Sequence, residues 1–162
     1  MSHTVDHALA APPRVVAELA PEAAEAFARV LDLVPTVTDP VLAELARLRM
    51  AQLIGDTEGA ARRSAIARDL GLDEGKVATL ATWPVSEAYT ERERACLALA
   101  EQYVLDVSQV TDAQTDAVLA HLGPAGLYGF VQALYAVDES IRLDLALRTA
   151  FPAGMPTPEE AS

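Results

Sequence analysis

Apolar residues recur at helical spacing along nearly the whole chain, and strand-like alternation of Val, Ile and Thr is almost absent. Residues 14–34 carry Val15, Val16 and Leu19, then Phe27, Val30, Leu31 and Val34, with Pro21 opening a second helical stretch. Pro35 is expected to stop it. Asp39-Pro40 reads as an N-cap followed by proline at the first helical position, for a helix running to about Ile54 and ended by Gly55. Asp56 then caps a predicted helix over 57–70, closed by Gly71, and Asp73 caps a short one reaching about Thr82. Trp83-Pro84 is expected to begin a loop. Thr90 with Glu93, and Thr111 with Gln114, are capping boxes. The first opens a helix to about Leu105 with Cys96, Leu99, Ala100 and Tyr103 on one face. The second opens a helix to Leu122, which Gly123-Pro124 breaks. The last predicted helix, about 124–149, sets Leu127, Phe130, Val131, Leu134, Ile141 and Leu145 at core spacing. Residues 1–13 are expected to form a loose arm and 151–162 a fraying tail, leaving one all-α domain over 14–150.

Composition narrows the function classes. The chain has 162 residues, of which 51% are hydrophobic and 22% charged, so it is long and apolar enough to bury a single core. A net charge of -12 repels phosphate backbones and anionic lipid, so neither nucleic acid nor a membrane surface is an expected partner. Cys96 is the one cysteine, which removes an intrachain disulfide, a dithiol couple and a Cys-rich zinc site. His3 and His7 lie in the expected arm, apart from His121, so no metal site is expected. Neither a secretion signal nor a membrane span is expected, the start of the sequence lacking a basic, apolar leader pattern. A cytoplasmic location is the expectation.

The segment DPVLAELARLRMAQLIGDTEGAARRSAIARDLGL over 39–72 resembles the core motif of the carboxymuconolactone decarboxylase / alkylhydroperoxidase D-like (AhpD-like) family. TERERACLALAEQYVLDVSQVTDAQTDAVLAHL and FVQALYAVDESIRLDLAL continue the likeness, which covers roughly residues 20–150. It implies an all-helical, AhpD-like bundle that oligomerises as a dimer, trimer or hexamer. Redox members of that family carry a glutamate and, twelve residues later, Cys-x-x-Cys-x-x-x-His. In them the thiols sit at a helix N-terminus and the histidine relays a proton. Here Glu44 keeps the glutamate, whereas Asp56, Gly59 and Arg63 stand at the two cysteines and the histidine. A chain with one thiol and no imidazole at that place has no dithiol peroxidase cycle. Cys96 belongs to a different helix. The histidine-containing motif of the family's decarboxylase branch has no match either.

Two readings of each charged residue stand open. Glu44 shares a helical face with Val41, Leu48 and Ala51, where a carboxylate could act as acid or base. Alternatively it forms a surface ion pair with Arg47. Asp56 is a helix cap or, standing where the family's nucleophile stands, part of a pocket. Arg63 holds a substrate oxygen, or fills the vacated site through a salt bridge to Glu44 or Asp56. Arg62, Glu58 and Trp83 are candidate substrate contacts. Trp83 and Tyr89 otherwise anchor their loop. Asp138 and Arg142 read as a buried pair, and Tyr128 and Tyr135 as core or interface. His121 reads as a helix-end residue.

The leading expectation is a non-redox, cofactor-independent enzyme acting on a small, partly apolar molecule. Glu44 and Asp56 would move protons and Arg63 would hold an oxygen, for isomerisation, cyclisation, decarboxylation or elimination. The alternatives are a catalytically silent oligomeric binding or scaffold protein, with the centre filled by an Asp/Glu–Arg network, and a thiol-dependent antioxidant role through Cys96 and a partner.

Overall fold

The computed structural model describes residues 20–150, and all regular structure among them is helical. In chain order the α-helices are α1 (Pro21–Val37), α2 (Pro40–Ile54), α3 (Thr57–Ala61), α4 (Ala65–Asp69), α5 (Glu74–Ala78), α6 (Glu91–Asp106) and α7 (Asp112–Ala150). Two 3-10 segments, Leu80–Val85 and Val107–Gln109, complete the path. The arm and tail expected at 1–13 and 151–162 lie outside the described residues, as do Val15, Val16, Leu19, His3 and His7.

Helix α2 is the centre of the bundle. Asp39 caps it by accepting from the N–H groups of Val41 and Leu42, Pro40 fixes its first turn, and Gly55 ends it with φ 89. Leu42, Ala46, Met50 and Ala51 pack with Cys96, Leu99, Ala100 and Val104 of α6 and with Phe130, Leu134, Val137 and Ile141 of α7. On the opposite side Leu45 and Leu48 pack with Ala67, Leu72, Val77, Leu80, Trp83, Tyr89 and Leu97. Ala43 faces Leu31 and Val34 of α1 and Ala133 and Ala136 of α7. Apolar neighbours on three sides bury residues 42–48 without interruption, the charged Glu44 and Arg47 included.

Several expected boundaries move for local reasons. Pro35 lies inside α1, two residues before its end. So near the end the proline withholds a single N–H from the ladder, and the last-turn carbonyls of Leu33 and Val34 are met by the Thr36 hydroxyl (2.6 Å) and the Thr38 N–H (3.2 Å). The helix expected over 57–70 is two five-residue helices, interrupted at 62–64. Trp83 and Pro84 belong to a 3-10 segment rather than to an open loop.

Both capping boxes form. Thr90 and Glu93 bond reciprocally, as do Thr111 and Gln114. Helix α7 is broken at Gly123, whose φ of 68 favours a residue without Cβ. Past the break, Gly129 lets α7 touch the end of α1, where a Cβ would lie 2.1 Å from the Val37 carbonyl oxygen.

Three further expectations change. Against the expectation of no membrane span, α7 is by length and mean hydropathy (1.3) long and apolar enough to cross a membrane; Gly123 interrupts it, and Phe130, Leu134 and Ile141 pack in the core. Tyr128 and Tyr135 are not core residues, being 69% and 55% exposed. Asp138 and Arg142 do pair (2.8 Å), yet the arginine side chain is half-exposed rather than buried.

Candidate functional site

The four positions that answer to the redox motif lie in the first half of α2 (Glu44), at the N-cap of α3 (Asp56), on α3 (Gly59) and in the break after it (Arg63). Glu44 is fully buried. Arg47, one turn on, donates from Nε to Glu44 Oε2 (2.7 Å) and from Nη2 to Oε1 (2.8 Å). The Ser64 N–H donates to Oε1 as well, at 2.9 Å. Two further guanidinium hydrogens reach the carbonyls of Gly59 (from Nη1) and Arg62 (from Nη2), each at 2.9 Å. The expected Glu44–Arg47 pair therefore forms, but inside the protein rather than on its surface. It also explains the break at 62–64. Backbone groups that a continuous helix would pair internally are met by these two side chains, and Ser64 restarts the helix by accepting from the Ala67 N–H.

Asp56 caps α3 by accepting from the Gly59 N–H at 3.0 Å. Its second partner is Arg148, 92 residues on in the last turn of α7, whose Nη2 donates to Asp56 Oδ1 at 2.7 Å. Burial by itself would raise the Asp56 carboxyl; the Gly59 N–H and the Arg148 guanidinium outweigh it and hold the group below its ordinary value of 3.8. Arg148 also pairs with Glu58 (3.0 Å) and Asp144, and Arg62 stands 3.6 Å from Asp144. The carboxylate of Asp56 folds over Gly59, where a Cβ would come within 1.9 Å of Oδ2. A side chain at 59 would require the Asp56 carboxylate to leave this pose.

Arg63 lies elsewhere. Its Nε donates to Glu74 (3.3 Å) and its Nη1 to the carbonyls of Ala60 (2.9 Å) and Arg62 (3.0 Å). The expected bridge to Glu44 or Asp56 is not formed, because Arg47 and Arg148 hold those carboxylates. Trp83 is 8% exposed in the second core cluster and donates from Nε1 to Glu101 (2.7 Å), which also takes Arg49. Tyr89 anchors the same region through its hydroxyl, which donates to the Lys76 carbonyl. Of the six candidates, then, Asp56, Glu58 and Arg62 meet in one ion-pair cluster around Arg148 and Asp144. Glu44 lies across Gly59 from that cluster, and Arg63 and Trp83 belong to other contacts.

Sequence reasoning missed Arg148 and Asp144. Their i, i+4 spacing marks a helical ion pair, but nothing local points to a carboxylate 92 residues away. Cys96 is 0% exposed on α6, and burial pushes its thiol up to about 12. Among the described residues no group of three or more His, Cys, Asp and Glu stands close enough to hold a metal ion.

Comparison with known proteins places these observations in a frame. The sequence pattern of the Carboxymuconolactone decarboxylase family matches residues 21–102. A crystal structure of an Agrobacterium tumefaciens protein of unknown function, described as a candidate antioxidant defence protein AhpD, superposes with a TM-score of 0.72. It is 22% identical, over 87% of this chain and 95% of that one, a likeness of fold. No curated protein matches the chain.

Proposed function

The chain belongs to the Carboxymuconolactone decarboxylase family, and we propose that within it the chain is a non-redox, catalytically silent member that works as a self-associating binding or scaffold protein. The observation that carries this reading is the state of the former reaction centre. Glu44 accepts three hydrogen bonds from Arg47 and Ser64, and Asp56 accepts from Gly59 and Arg148. Both Glu44 oxygens are thus engaged inside the protein, and a carboxylate held below its ordinary range, as Asp56 is, is a poor proton acceptor near neutrality. The acid/base reading also needs Arg63 beside them, and Arg63 is paired with Glu74. The thiol-dependent reading needs a reachable thiolate, and Cys96 is sealed and pushed up to about 12.

Self-association is supported by the surface of α7. Residues 117–137 contain no Asp, Glu, Lys or Arg in a chain that is 22% charged. Yet this stretch turns Tyr128 and Tyr135 outward, 69% and 55% exposed. Exposed aromatic groups on an uncharged helix face are what an association surface requires.

The test needs no substrate. If the ionic groups are structural, Glu44→Gln and Asp56→Asn lower the urea midpoint, and sedimentation gives a mass above the monomer. Catalytic groups held against their own stability behave oppositely, so neutral or stabilising effects at both positions would return the acid/base reading to first place. A monomeric mass would remove the association.

A further inference from the structure

We infer that the last turn of α7 is an ionic latch, closed by Arg148 over Asp56, that controls access to the former reaction centre. The inference rests on the centre being closed by internal ion pairs, and its test reads backbone opening rather than stability sign or mass, so the two fail separately.

The apolar hold on α7 ends early. Its last fully buried residue is Ile141, and everything from Arg142 to Ala150 is half-buried or exposed. Leu145 alone among these packs against the main core cluster. Arg142 ties this stretch to the Val104 carbonyl (3.2 Å), on the α6 side. Toward α3 the tie is Arg148. One guanidinium spans Asp56, Glu58 and Asp144, with Arg62 next to Asp144. The Nε of Arg148 is buried with no hydrogen-bond partner among the described residues, so the closed state is short of one bond.

A helix end with few buried apolar contacts opens locally at low cost. Opening here uncovers Asp56, which is otherwise 4% exposed, and the start of α3. It leaves the Glu44–Arg47 pair closed, since the hydrogen bonds of that pair go to Ser64, Gly59 and Arg62 and not to Arg148. Arg148 is 31% exposed, so salt reaches and weakens the latch.

Amide hydrogen exchange on the full chain tests this. Arg148→Met keeps the length of the side chain and removes its charge. It is expected to speed exchange about tenfold at 57–61 and 144–150, the scale for losing a charged hydrogen bond. Exchange across α2 and α6 stays unchanged. Arg148→Lys keeps the charge without the fork and falls between. Arg142→Met, on the same helix, leaves 57–61 unchanged. In the unmodified chain, molar salt moves 57–61 and 144–150 in the same direction as Arg148→Met. No acceleration at 57–61 in Arg148→Met overturns the latch. So does equal acceleration across α2 and α6, which would make Arg148 a contributor to global stability only.

Discussion

Replacing Arg47 by methionine is the sharpest probe of the buried centre. The two side chains of the pair are 6% and 0% exposed, so solvent screens them little. Methionine has similar reach and no charge. The substitution leaves the Glu44 carboxylate in the interior with the Ser64 N–H as its remaining partner, and takes one donor each from the carbonyls of Gly59 and Arg62, which keep the Arg62 N–H and the Arg63 Nη1. Removing one partner of a buried ion pair costs about 3–5 kcal/mol. A domain of this kind has only about 5–15 kcal/mol to lose. With a urea dependence of about 2 kcal/mol per molar, the midpoint should fall by roughly 2 M. The assay is urea unfolding followed by far-UV circular dichroism. A second variant isolates the cause. Glu44→Leu combined with Arg47→Met leaves no buried charge and should recover part of the loss, the Ser64 N–H still being unmet. A cost below about 1 kcal/mol for Arg47→Met, the range of an exposed pair, would refute the reasoning. So would a double variant whose cost is the plain sum of the two singles.

Other outcomes follow from the same geometry. Arg63→Met should change stability by no more than about 0.5 kcal/mol, because its carboxylate partner Glu74 is 62% exposed; unfolding curves that separate widely would contradict this. Asp56 and Glu93 are both held below their ordinary values of 3.8 and 4.5, after burial, which acts the other way, is outweighed by hydrogen bonds to Gly59 and Arg148 and to Lys76 and Thr90. Their folded-state values being depressed, the stability they add is present at pH 7 and is lost as pH falls below those ordinary values. The midpoint gap between the unmodified protein and Asp56→Asn should thus be open at pH 7 and narrow at pH 3; a gap that widens in acid would reverse the sign. Cys96 should stay unlabelled by a thiol reagent at pH 8 in the folded protein and react on unfolding.

The sequence was informative wherever the determinant is local. Asp39-Pro40 and Gly55 bound α2 to the residue, both capping boxes form, and Gly123 breaks α7 where its conformational freedom predicts. Each of these signals acts within four residues. The misplacements share an opposite origin. A continuous helix over 57–70 is what capping and propensity favour, and it is undone by Arg47 and Glu44 reaching 12 to 20 residues along the chain to take its backbone groups. The Glu44–Arg47 spacing reads as a surface pair because such pairs usually are, and it is buried because α2 has apolar neighbours on three sides, which no pattern within α2 announces. The centre itself repeats the lesson. Glu44 stands where the family pattern has its glutamate, but its partners here are a neighbouring arginine and a backbone N–H. Asp56 stands where a thiol would, and in its pose it folds over the glycine at the second thiol position and pairs with an arginine from the far end of the chain. Occupying a motif position therefore fixes where a side chain sits, while the groups that meet it there decide its chemistry. In this chain those groups are cations and amides, which tie both carboxylates into hydrogen bonds and ion pairs.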